Sequence, residues 1–242
     1  MPDNHYVHPR LAALYDLSCP WSRDRDFYLS LARSQRMRIL EIGCGTGLLS
    51  RAYARHGHLV TGVDPAAAML DVAKAQPFGA GIEWVHAFAQ TYRSDRRFDL
   101  IVMTGHAFQV LLTDVDMAMA FETLRAHLTP GGLAVFESRN PDFDWAEVWD
   151  EDVVLRRPGE TVQQSCRLLS LKGERLTFEL RYCFADAELV SRSVLRFPSR
   201  AHVEAGLTAS GLQVDAVFGD WHGGPFDPKT SREMIFKVRG SD

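Results

Sequence analysis

The sequence predicts an α/β protein built on a doubly wound, mostly parallel seven-stranded sheet, with a three-stranded antiparallel sheet inserted after the fifth strand. Three observations point there. Between residues 39 and 137, apolar runs of strand length alternate with stretches of helical period. The first run, Ile39-Leu40-Glu41-Ile42, breaks into glycines at alternate positions, Gly43, Gly45 and Gly47. From 153 to 197 the helical period disappears, and Leu176, Phe178, Leu180, Tyr182 and Phe184 alternate with Arg175, Thr177, Glu179, Arg181 and Cys183. Strands that alternate with helices cross over right-handed and run parallel, whereas strict apolar-polar alternation marks a strand buried on one face.

Taken in order, residues 1–36 read as one or two helices with Leu11, Leu14 and Tyr15, then Phe27, Leu29 and Leu31, on an apolar side. They are expected to cap the site. After the first strand, Leu48, Leu49, Ala52 and Tyr53 recur at helical spacing until Gly57 supplies a stop. Val60-Thr61-Gly62-Val63-Asp64 is the second strand, Pro65 suits a first helical position, and 66–75 is rich in helix formers. Residues 82–87 and 98–103 read as the third and fourth strands. Thr113-Asp114-Val115-Asp116 opens a helix in the manner of a capping box, and Pro130-Gly131-Gly132 turns into a fifth strand over 133–137. Lys172-Gly173 and Asp186-Ala187 are turn signals within the antiparallel insertion. A helix over 199–209, ended by Gly211, precedes an antiparallel pair at 212–219 and 234–238 that completes the main sheet. The expected domain plan is a helical cap at 1–36, a cofactor-binding core at 37–150, a lid or dimer element at 151–198, and the completion of the core at 199–242.

Composition narrows the function. The 242 residues, 46% hydrophobic and 24% charged, can bury a sizeable core, and a net charge of -4 provides no basic field for nucleic acid or an anionic membrane. The start, Met1-Pro2-Asp3-Asn4-His5, lacks the charged and apolar regions of a secretion signal, and no apolar run is long enough to span a bilayer. Cys19, Cys44, Cys166 and Cys183 are scattered without a CxxC pair, and the histidines lack metal-ligand spacing. A cytoplasmic protein without a bound metal is expected.

The chemistry concentrates at the glycine turn between the first strand and its helix. Without a Cβ, the backbone there can take unusual dihedrals and lie against a ligand that faces free N–H groups. Asp64 closes the second strand, where a carboxylate can accept both hydroxyls of a ribose. Together they predict a nucleoside-containing cofactor on the carboxyl edge of the sheet. The dinucleotide fingerprint G-x-G-x-x-G places its third glycine one position after Gly47, where this chain has Leu48.

The string Glu41-Ile42-Gly43-Cys44-Gly45-Thr46-Gly47, with Gly62-Val63-Asp64 behind it, resembles the first two motifs of the class I S-adenosylmethionine (SAM) dependent methyltransferases. The segments Phe98-Asp99-Leu100-Ile101-Val102, Thr104-Gly105-His106-Ala107-Phe108-Gln109 and Leu128-Thr129-Pro130-Gly131-Gly132 look like later motifs, and the layout is similar to that of the small-molecule methyltransferases. The resemblance implies a Rossmann-like fold, SAM as cofactor with S-adenosylhomocysteine as product, and methyl transfer to nitrogen or oxygen of a small-molecule acceptor by direct in-line displacement. It also implies an insertion that covers the substrate or builds a homodimer. An NAD(P)-dependent Rossmann oxidoreductase and a non-catalytic protein that binds SAM or its product are the alternatives.

By the same resemblance, Glu41 lies under the methionine amino group and Gly43, Cys44, Gly45 and Gly47 run along the methionine portion. Asp64 takes the ribose, while Pro65, Met69, Ala87, Phe88 and Ala89 surround the adenine. Relatives often hold the adenine amino group with an aspartate after the third strand; here Gln90 or a backbone carbonyl replaces it. Thr104 and Gly105 face the transferring methyl, and His106 is the candidate catalytic base, because an imidazole changes charge near neutral pH. Tyr15, Trp21, Arg139, Asn140, Trp145 and Trp221 are candidates for the acceptor side. Plainer readings stand beside these. Asp64 suits a helix N-cap, Cys44 a small filler, Met69 the core, His106 a positioning group, and each tryptophan core or dimer packing. Asn140-Pro141-Asp142-Phe143 is similar to the base-holding motif of amino-directed DNA methyltransferases, but it follows the fifth strand instead of the fourth, so it is read as a turn.

Overall fold

Seven strands form the main sheet of the computed structural model, which describes residues 3–32 and 35–241. Met1, Pro2, Arg33 and Ser34 of the expected cap, and Asp242 at the other end, lie outside the described residues. The N-terminal segment forms four short helices in place of one or two: α1 (Asn4–Val7), α2 (Pro9–Ala12), α3 (Tyr15–Ser18) and α4 (Arg23–Ser30). The breaks have a local cause, since Pro9 starts a new helix and, like Pro20, offers no N–H to continue an old one.

The core then alternates as expected: β1 (Arg38–Ile42), α5 (Leu48–Arg55), β2 (Leu59–Asp64), α6 (Ala67–Ala75), β3 (Glu83–His86), β4 (Phe98–Met103), α7 (Asp114–His127) and β5 (Leu128–Arg139). The Thr113 hydroxyl caps α7 by accepting the Asp116 N–H at 3.1 Å. β5 begins earlier than expected. Pro130-Gly131-Gly132 sits inside it as a bulge, because Phe98 faces Leu128 and Leu100 faces Leu133 across the β4–β5 ladder.

A separate sheet follows, and it has four antiparallel strands where three were expected: β6 (Glu151–Arg157), β7 (Glu160–Lys172), β8 (Arg175–Cys183) and β9 (Glu188–Arg196). The extra reversal is a two-residue turn at Pro158-Gly159, with Arg157 paired to Glu160 and Gly159 at φ +77°. Proline pre-sets the first turn position and glycine alone adopts the second without strain. The alternation over β8 is present as predicted, with every second side chain buried.

After α8 (Arg200–Ala209), β10 (Leu212–Phe218) and β11 (Glu233–Gly240) complete the main sheet in the spatial order β10-β11-β5-β4-β1-β2-β3. β1 to β5 run parallel, and β11 runs antiparallel to both β5 and β10. Adjacent side chains of β1 enter different layers: Ile39 packs with Tyr28, Leu49 and Tyr53 on one face, Leu40 and Ile42 with Phe108, Phe121 and Phe136 on the other. Burial on both faces is why the strand is apolar without alternation. The strand order reverses between β1 and β4, which places the ends Ile42 and Met103 side by side. That crevice is where doubly wound sheets bind ligands.

Candidate active site

The turn after β1 hangs on backbone and carboxylate bonds from β2. The N–H groups of Gly43 and Cys44 donate to the Val63 carbonyl at 2.7 and 3.1 Å, and Gly45 N–H donates to Asp64 Oδ2 at 2.8 Å. The other oxygen, Oδ1, accepts Ala66 N–H at 2.8 Å just before α6. Asp64 thus braces the turn that leads into that helix, whose N-cap is Ala66 and not Asp64, and each oxygen keeps a further lone pair for a ligand hydroxyl. Burial raises its pKa, while the two backbone N–H groups favour the charged form. Glycine is required at position 43, where φ is +72° and a Cβ would stand 2.6 Å from that of Ala107.

Tyr15 spans the crevice above this turn: a Cβ on Gly45 would stand 3.8 Å from its ring, and one on Gly105 would stand 4.0 Å from its hydroxyl. Tyr6 lies beside it at 6.1 Å between centroids, and both pack with Ala66 and Met69. α3 is tied down because Asp16 accepts the Thr46 hydroxyl and pairs with Arg51 at 3.5 Å. Beneath the turn, Glu41 is buried and accepts hydrogen bonds from the hydroxyls of Ser50 and, at 3.3 Å, Thr104. Burial pushes its carboxyl up to about 7. Cys44 is buried, its thiol pKa raised well above the usual range by burial, which suits a packing role.

At the end of β4, His106 adopts φ +59°, an uncommon conformation for any residue other than glycine. Its own N–H donates to Glu137 Oε1 at 2.6 Å, and its Nε2 meets Glu233 Oε2 at 3.0 Å. With Glu233 ionised and the imidazole neutral, Nε2 carries the hydrogen and Nδ1 is the acceptor. Glu137 also takes the Tyr28 hydroxyl, and burial raises its pKa. Glu137 and Glu233 were not among the sequence candidates. Glu233 has no local signal; only the β5–β11 register brings it to His106.

Residues 39–132 match the family described as a methyltransferase domain. The matched segment, under half of the chain, runs from β1 into β5 and contains the glycine turn and Asp64. Over 134 residues it is 42% identical to the ubiquinone biosynthesis O-methyltransferase of Methylobacterium sp. (strain 4-46), a match covering 53% of this chain and 51% of that protein. The chain thus spans about half the length of the curated O-methyltransferases it matches. Among solved structures it is similar to Streptomyces venezuelae DesVI, with TM-score 0.79, 22% identity and coverage of 95% of this chain and 98% of that one. It is also similar to SAM-bound CalS10, an amino pentose methyltransferase from Micromonospora echinaspora, with TM-score 0.73, 25% identity and coverage of 93% and 94%.

Around this crevice the remaining candidates fall in different places. The Pro65 carbonyl meets His86 Nε2 at 2.8 Å, Ala87 and Ala89 pack against the core, and the Phe88 ring is 42% exposed. Gln90 donates to Asp116 at 3.0 Å, so its amide is engaged with α7. Arg139 and Trp145 meet, the guanidinium lying 5.5 Å from the ring. Trp221 packs instead on Phe27 and Tyr28 beneath α4. Two expectations for the acceptor side do not fit. Trp21 is exposed and donates to Asp26 at 2.7 Å, a bond within the N-terminal segment. Asn140 is buried with its amide consumed: Nδ2 donates to the carbonyls of Pro228 and Ser231, and Oδ1 accepts Asp142 N–H. It braces two loops, with both amide hydrogens spent on them.

The raised pKa of Glu41 makes a signed prediction for the ligand-free protein. The unfolded carboxyl titrates near 4.5 and the folded one near 7, so the native state holds the extra proton between those values. The stability that proton carries is full below 4.5 and is lost as pH rises through 7. Glu41→Gln should therefore resist urea better than the parent at pH 8, by on the order of 2–3 kcal/mol, with the difference vanishing in acid. A substitution cost that is the same at every pH would contradict the assignment.

Proposed function

We propose that this chain transfers a methyl group to a nitrogen or oxygen of a small-molecule acceptor by direct in-line displacement. SAM supplies an electrophilic methyl on a sulfonium that is already a good leaving group. The observation that carries the reading is the Asp64 carboxylate, fixed at the end of β2 beside the switch point with its oxygens against Gly45 and Ala66. Asp64 would hold the ribose hydroxyls, the backbone of Gly43, Cys44, Gly45 and Gly47 the methionine portion, and Glu41 its ammonium. Pro65, Met69, Ala87, Phe88 and Ala89 would line the adenine, and Thr104 and Gly105 the side facing the methyl. Acidic groups near the ends of β1, β2, β5 and β11, namely Glu41, Asp64, Glu137 and Glu233, favour a cationic cofactor over a pyrophosphate. That is a physical reason to prefer SAM to NAD(P).

The acceptor would enter under Tyr15, beside Arg139 and Trp145. His106, oriented by Glu233, would receive the proton that a nitrogen or oxygen nucleophile sheds, while alignment of nucleophile and methyl supplies much of the rate. An O-methyltransferase and an amino pentose methyltransferase among the similar proteins leave both nucleophiles in play. A cytoplasmic setting suits the four unpaired cysteines, and no described helix is long and apolar enough to cross a membrane. With a net charge of -4 we assign no nucleic-acid partner. The edges β6 and β9 of the insertion, with Val154, Leu169 and Leu171 exposed nearby, would support a homodimer; a monomeric mass at every concentration would remove it.

Calorimetric titration tests the cofactor assignment. S-adenosylhomocysteine should bind the ligand-stripped protein, Asp64→Ala should weaken it by roughly tenfold or more, and NADH should give no heat; the reverse pattern would return the chain to the oxidoreductases. With an acceptor in hand, His106→Ala should lower turnover roughly a hundredfold and flatten its pH dependence. Full turnover at every pH would exclude a base at this position.

A further inference from the structure

Arg139 ends β5 where the core, the N-terminal helices and the insertion meet, and its charge is not matched there. A guanidinium has five N–H donors. Among the described residues Arg139 uses one of them in a hydrogen bond, at 2.9 Å to Gln109 Oε1. Gln109 is itself fully buried and anchored, its amide donating at 3.0 Å to the Arg196 carbonyl. The rings of Trp149 and Trp145 lie 5.1 and 5.5 Å from the guanidinium carbon, which steadies the cation without neutralising it.

The two carboxylates close enough to act on this charge are Glu233 and Glu137. Both are turned elsewhere, Glu233 to the His106 ring and Glu137 to the His106 N–H and the Tyr28 hydroxyl. Burial lowers the Arg139 pKa, a sign that surrounding charge does not offset desolvation. An arginine with only a packing role would be better replaced by an apolar side chain, because an unpaired buried charge is costly. Arg139 is nevertheless half-buried instead of sealed, so a solute can reach it. Across the β5–β11 ladder it stands directly opposite Glu233, one cross-strand step from the His106–Glu233 pair.

We propose that the methyl acceptor carries an acid group, a carboxylate or a phosphate, gripped by the planar fork of Arg139 while its nucleophilic nitrogen or oxygen lies beside His106. This rests on the methyltransferase reading and gives it a substrate class: compact amino or hydroxy acids, or their phosphate counterparts, with the two groups a few bonds apart. A guanidinium fork suits either anion through paired N–H donors.

The test is titration of the protein saturated with S-adenosylhomocysteine, at fixed ionic strength, with acetate, inorganic phosphate and the neutral isostere acetamide. At least one anion should bind saturably, acetamide should not, and Arg139→Gln should weaken the anion by roughly tenfold or more. Tighter acetate assigns a carboxylate acceptor and tighter phosphate a phosphorylated one. Arg139→Met, which keeps the apolar stem against the tryptophans, takes the place of Arg139→Gln if the latter fails to fold. Equal binding of acetate and acetamide, anion affinity unchanged by loss of the charge, or no saturable binding of either anion overturns the proposal. Each variant is also titrated with S-adenosylhomocysteine. Failure of the parent protein to bind that ligand, with anion binding to Arg139 intact, would reject the cofactor reading and leave the anion site standing.

Discussion

A single buried carboxylate sets the geometry on which the crevice depends. Asp64 spans two crossovers, one oxygen on the turn after β1 and the other on the start of α6. A carboxylate taken out of water must have its charge answered, and here backbone N–H groups answer it. The same two bonds therefore hold the glycine turn against β2 and fix where α6 begins. Because the turn is locked from below, its upper surface can stay free of side chains, and Tyr15 is the group that lies across it.

The same solution recurs along the carboxyl edge. Glu41 is satisfied by Ser50 and Thr104, Glu137 by Tyr28 and the His106 N–H, and Glu233 by the His106 ring. Strand ends that carry acids would repel one another if all were charged, and burial with hydroxyl donors allows some to hold their protons. Glu41, near 7, is poised to change state in the physiological range. Arg139, at the end of β5 on this same edge, adds a cation that bonds Gln109 instead of any of these carboxylates. The N-terminal helices close the arrangement: Leu11 and Leu14 enter the apolar core of the insertion, and Arg10 pairs with Glu160 and Asp186 at 2.8 Å beside two of its hairpin turns.

The core was legible because its signals are local. Apolar runs without alternation gave β1 and β4, glycines at alternate positions gave the turn, and Thr113 gave the start of α7 within a residue. What the sequence hid depends on tertiary placement. Pro158-Gly159 is a recognised turn pair, yet consecutive apolar residues at Val153, Val154 and Leu155 masked the strand before it. Asn140 stands in a chemically suggestive string, but loop packing consumes its amide. Glu233 and Gln109 join the site only through sheet register and the fold of the insertion, neither of which a linear pattern encodes.

The most direct measurement is a crystal structure of the S-adenosylhomocysteine complex. The account places the ribose hydroxyls on Asp64, the amino-acid portion over Gly43 to Gly47, and the sulfur directed toward Tyr15 and His106. A ligand bound with Asp64 still engaged solely with Gly45 and Ala66, and its ribose held elsewhere, would contradict it.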